Sequence, residues 1–239
     1  MKLILIITSA IGIFSLASCK GCGHMGNGKV VTQNRTVEPF TELSIAGVFP
    51  VEISQDGGSE FVKVEADENL QEFITIKNEG NKLIIKMDDD ASIHKSKKLK
   101  VYININKLSE LEFKSIGSLK TTNQLMLDSL QLSSESVGKM NLEIDAQFLH
   151  ADLSSIGATT LKGRVHEVRI NNKSVGTLSA YDLKASTMMI HNTAIGTVEI
   201  YADSAFYIRS SAVGTLYYKG PGQVKELSSE GIGKVSKAE

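Results

Sequence analysis

Apolar and polar residues alternate along most of the chain, and from Leu111 onward the alternation keeps returning to one frame. "SVGTL" at Ser174 to Leu178 comes back as "AIGTV" at Ala194 to Val198 and as "AVGTL" at Ala212 to Leu216. The recurring glycine falls at Gly117, Gly138, Gly157, Gly176, Gly196, Gly214 and Gly233, in steps of 21, 19, 19, 20, 18 and 19 residues. Ile or Val precedes it every time: Ile116, Val137, Ile156, Val175, Ile195, Val213 and Ile232. Two before it stands a small residue, and two after it apolar alternation resumes, as at Leu119, Leu178 and Val198. Apolar pairs also recur eight and six positions upstream, as Val168 with Ile170 and Phe206 with Ile208. Each unit therefore reads as strand, small-residue bend, strand.

A period near twenty residues predicts a solenoid, in which each unit buries its apolar face only against its neighbours. A leucine-rich repeat would need a helix where alternation resumes after the glycine. A propeller blade would need about twice the period. Antiparallel hairpins would need two constant turn signals per unit, and only one is constant. The expected fold is all-β: a single-stranded parallel β-helix, right-handed by preference, with coils of 19–20 residues. Seven coils spaced about 4.8 Å apart would span about 34 Å. Equivalent residues then stack, so Asn172 and Asn192, each four before its glycine, are expected to form an amide ladder at a corner. The Ile/Val column poses a conflict, because strict alternation points it outward and seven stacked β-branched residues in water would be unusual. We expect a bend at the glycine to turn the column inward, where Val175→Ala would cost about 1–3 kcal/mol. The front half, Arg35 to Asn106, alternates without a clean repeat ("VFPVEIS", "EFVKVEA", "KLIIKM") and predicts irregular first coils and a cap.

The N-terminus lies outside this pattern. Met1 and Lys2 lead into the apolar run Leu3 to Leu16 and then "LASC", Leu16 to Cys19. A basic start, a short apolar core and small residues before a cysteine predict a bacterial lipoprotein signal, with Cys19 as the lipid-bearing residue. Several acyl tails would anchor stably where one would not. The expected division is a signal peptide at 1–18, a Gly-rich tether at 19–34 and one β-helical domain at 35–239. Cys22 is the only other cysteine, so an acylated Cys19 leaves no disulfide. Cys22 and His24 are too few for a metal site. A formal net charge of -1 with interspersed signs gives no field for nucleic acid. Trp is absent, which weighs against stacked-ring carbohydrate sites.

The small-residue–Gly steps, ending in "YYKGPGQVKELSSEGIGKV" at Tyr217 to Val235, resemble the putative auto-transporter adhesin, head GIN domain family of Bacteroidota-type lipoproteins. The likeness runs from about Thr36 to Val235, with the terminal Tyr-x-Gly, Val and Gly-x-Gly as its most specific part. It implies a β-helical envelope protein and offers no catalytic residues to transfer.

Catalytic chemistry finds little to stand on. A lyase acting on polyuronates would need carboxylates for a cation and a base beside them. Asp152 with Lys162, Arg164 and Arg169 is the available set, and a solvated charged face explains it better. "MDDD" (Met87 to Asp90) and "HKSKK" (His94 to Lys98) form the densest charge cluster and read as self-compensating surface. His150, His166 and His191 fall out of register for a shared metal. No catalytic residue, metal or cofactor is expected. The leading expectation is a lipid-anchored binding or adhesion module of the outer membrane, on its periplasmic or surface face, with an unidentified protein or glycan ligand. A structural or lipid-handling envelope lipoprotein comes second, and a carbohydrate-active enzyme third.

Overall fold

The computed structural model describes residues 23–88 and 91–239, so Cys19, Cys22, Asp89 and Asp90 lie outside the described residues. Strand accounts for 71% of it and helix for 3%, and stacked parallel coils form a β-solenoid of about seven turns. The predicted fold class is correct.

The strands Val137–Leu153, Ile156–Asn172, Val175–Asn192 and Ile195–Ser210 each run around most of a coil and pair in parallel with the next. Gly117, Gly138, Gly157, Gly176, Gly196 and Gly214 stand opposite one another in register. The coil length varies without breaking this stack. The longer step from Gly176 to Gly196 appears as a skip in register between Thr160 and Gly163, away from the glycine corner. Inside, columns such as Val168, Met188 and Phe206, or Ile170, Ile190 and Ile208, are stacked and buried. Like-on-like stacking fills the interior with side chains of matched shape, as close packing requires.

One corner of the interior is polar. The Asn172 side-chain amide donates to the Asn192 carbonyl oxygen at 3.1 Å, and Asn192 donates onward to the Ser210 hydroxyl at 3.4 Å. On the other side of Leu153, the hydroxyls of Ser134, Ser136 and Ser155 lie 3.0 Å from each other. These buried groups satisfy one another, which removes the penalty of taking them from water. The amide ladder stands where the repeat places it.

The Ile/Val column does not turn inward. Val175 is 45% exposed and Ile116 63%, and every member is an exposed side chain. The reason lies in the glycine beside it. The pleat keeps its parity through the corner: Asn172 and Leu178 point in, while Lys173, Val175 and Thr177 point out. The glycine takes the inward place with φ of +136° at Gly176, and its Cα lies against the carbonyl of Gly157. The coil beneath comes so close that no room is left for a Cβ at this inward position. Ile156, Val175, Ile195 and Val213 also donate their backbone N–H groups to the carbonyl of the small residue in the preceding coil, Val175 to Ser155 at 2.8 Å and Ile195 to Ser174 at 2.9 Å. That bond fixes the side chain's outward direction.

The front half closes one end. Strands Glu42–Gly47 and Val51–Ser54 form a coil parallel to the glycine-bearing strand Glu110–Thr121, with Lys82–Met87 and Leu99–Asn104 beneath them. Beyond these the pairing becomes antiparallel, through Ile74–Glu79, Phe61–Asp67 and Val30–Arg35. A 3₁₀ turn, Glu68–Phe73, lies over the end and buries Leu70 completely. Residues 23–34, expected as tether, are therefore part of the fold. Val30–Arg35 pairs along its whole length, and His24 packs on Phe73 with ring centroids 4.2 Å apart.

Candidate functional site

The exposed corner and the flat face leading into it form the most distinctive surface. Val48, Ile116, Val137, Ile156, Val175, Ile195, Val213 and Ile232 make an apolar ridge parallel to the solenoid axis. Beside it runs a threonine column, Thr177, Thr197 and Thr215, in register. On the other side, the outward residues of the approach strand stack in two polar columns. One holds His150, Arg169, Met189, Tyr207 and Glu226, and the other Asp152, Asn171, His191, Arg209 and Ser228.

Two shallow depressions mark this face. Next to the ridge one is lined by Asp152, Asn171, Lys173, His191 and Thr193. Its neighbour is lined by Arg169, Met189, Tyr207, Arg209 and Glu226. The Asn171 amide donates to Asp152 at 2.7 Å and lies 3.3 Å from His150 Nε2. Arg169 stands 3.6 Å from Glu167, and Arg209 pairs with Glu226. At the first glycine coil, the Lys114 ammonium at 2.7 Å and the Ser44 hydroxyl at 2.9 Å hold the Glu112 carboxyl below its ordinary range. Charges of both signs are paired on this face, so it offers directional hydrogen bonds rather than a field of one sign.

The four lyase candidates do not converge. Asp152 stands opposite Asn171 on the approach face, with Arg169 two residues along. Lys162 and Arg164 stand opposite Glu143 and Asp145, on strand beyond the corner, and Lys162 faces Asp182 at 3.7 Å. His150 and His191 occupy different columns, and no group of three His, Cys, Asp or Glu that could hold a metal occurs among the described residues. Of the densest charge cluster, Asp88 accepts a hydrogen bond from Thr75 at 3.1 Å, and Asp89 and Asp90 lie outside the described residues. Cys19, the predicted lipid site, also lies outside them. The polar columns escaped the sequence reading, although the frame that found the glycines also indexes them: they sit seven and five positions before each glycine.

The exposed apolar ridge and the hydrogen-bonding face beside it thus form one open surface of the β-solenoid. The chain belongs to the family described as "Putative auto-transporter adhesin, head GIN domain", which matches residues 39–222. Its structure is similar to that of a putative adhesin from Bacteroides fragilis, at 23% identity and a TM-score of 0.84, covering 90% of this chain and 100% of that one. A putative lipid binding protein from Parabacteroides distasonis is similar at 18% identity and a TM-score of 0.71, over 90% of this chain and 99% of that one. A putative adhesin from Parabacteroides merdae follows at 21% identity and a TM-score of 0.63, over 91% and 99%. At these identities the likeness speaks to the fold. No curated protein matches the chain.

Proposed function

We propose that this chain is an exported, lipid-anchored adhesion module of the bacterial outer membrane that holds a protein or glycan on its ridge and the adjoining polar face. One observation carries the reading: eight β-branched side chains are kept in solvent along one line. Apolar surface of that continuity costs solubility and is usually retained for contact. The family supports an adhesion-type module. The anchor rests on the sequence alone, on "LASC" at Leu16 to Cys19. No helix among the described residues is long and apolar enough to cross a membrane.

The test pairs attachment with folding. The protein is applied to a glycan array and to immobilised extracellular-matrix proteins, alongside Ile156→Lys with Ile195→Lys. Loss of attachment with an unchanged melting temperature is the expected result. Equal attachment by the variant would remove the ridge from the function. For the anchor, Cys19→Ser should abolish labelling by a palmitate analogue, and undiminished labelling would refute it.

The name of the Parabacteroides distasonis protein favours lipid handling as the second reading, since an apolar ridge would also suit acyl chains. Sedimentation with phospholipid vesicles by the Cys19→Ser protein, lost in the ridge variant, would support it over adhesion.

A further inference from the structure

The two ends of the solenoid differ. At the N-terminal end, antiparallel strands and the 3₁₀ turn cover the core. At the C-terminal end, the last coil consists of the strands Gln223–Ser229 and Lys234–Lys237, joined at Ile232. Leu227 continues the core column of Ile208, and Val224 that of Phe206. Yet Leu227 is 51% exposed and Val224 38%, and among the described residues no coil covers them. Ile232, at the tip of the ridge, is 88% exposed.

The backbone of this coil is half used. Glu230 N donates to Ser210 O and Ala238 N to Tyr218 O, on the preceding coil. Successive residues of a strand direct their N–H and C=O groups to opposite sides. Leu227, Ser229, Val235 and Lys237 therefore aim theirs away from the molecule, where they form an open edge to which another strand can add.

We propose that this open coil is an interface for a second copy of the chain, joined end to end about a two-fold axis through Ile232. Such an axis lays each copy's Gln223–Ser229 strand antiparallel to the other's Lys234–Lys237 strand. Counting outward from Ile232 gives the register. Ser229 meets Val235 and Leu227 meets Lys237, both pairs with free backbone groups on the facing side. Glu230 and Lys234, each two residues from the axis, meet as opposite charges, and the symmetry makes that pair twice. The stem of Lys237 lies over Leu227, and Ile232 packs on its own copy. The bare core, the free backbone and the charges thus fit one arrangement. Both N-terminal ends then lie at the far poles of a rod of twice the length, a geometry suited to copies displayed on two facing membranes if the proposed anchor holds.

The experiment uses the exported chain with Cys19→Ser and Cys22→Ser, in sedimentation velocity over a concentration series. A monomer–dimer equilibrium is expected, and a monomer at every concentration would overturn the proposal. Glu230→Lys and Lys234→Glu should each weaken association about tenfold or more, since like charges then face each other. Together they should restore it, and dimers that the double variant does not restore would place the interface elsewhere. Under mild oxidation Ile232→Cys should give a covalent dimer, whereas Ile195→Cys, two coils back, should not. These readouts stay independent of the adhesion reading, because they require neither ligand nor lipid.

Discussion

At Gly176 the chain passes so close to the coil beneath it that a Cβ would overlap the Gly157 carbonyl oxygen, and φ of +136° is strained for any other residue. Gly176→Ala should therefore cost about 3 kcal/mol or more, because neither the dihedral nor the backbone neighbour can give way cheaply. Gly57 is the control: its φ is +77°, but nothing lies within reach of an added Cβ, so Gly57→Ala should cost only about 1 kcal/mol. Urea melts of both variants measure the difference. Val175, one residue away, behaves in the opposite sense. Its exposure replaces the predicted loss for Val175→Ala with a change within about 0.5 kcal/mol. A larger loss in the same melts would mean that the ridge is packed in solution, as it would be within an oligomer.

Among the elements, the N-terminal cap depends on one carboxylate. Asp67 is fully buried; burial pushes its carboxyl up, but backbone N–H groups of Lys98, Gly28 and Lys97 outweigh this and leave it below its ordinary value. A carboxyl depressed on folding adds stability that is complete above its unfolded value of about 3.9 and is lost as pH falls through the lower folded value. The cap should accordingly loosen in acid below about pH 4, and amide exchange should rise there in Val30–Arg35 before it rises in the central coils. Asp67→Asn should weaken the cap at neutral pH and flatten its acid dependence. The sequence does not announce this device, because antiparallel cap strands alternate just as parallel coil strands do. "VVTQNR" at Val30 to Arg35 has only two apolar residues and reads as tether until its partner strand is known. The coils were legible for the opposite reason: stacking forces residues such as Asn172 and Asn192 to match their neighbours above and below. Outward columns carry no such constraint, so His150, Arg169 and Tyr207 left no common type to recognise. The direction of Val175 turned on a glycine dihedral that no pattern of letters specifies.

For the whole molecule, nearest-neighbour stacking predicts that coils can be removed singly. Deleting Ala158 to Gly176, the 19 residues of one step, joins Gly157 to Thr177 and lets Thr177–Asn192 stack on Val137–Leu153 with the glycine column kept in register. The shortened chain should keep its β circular dichroism and one cooperative transition, and small-angle scattering should show it about 4.8 Å shorter. Removing only half of the same segment should abolish folding, since the next glycine corner then falls over a flat face of the coil beneath. The glycine corner thus has a consequence for heredity. It fixes where a length of gene can be cut or duplicated without harm, so the reach of this rod can change between generations only in whole coils.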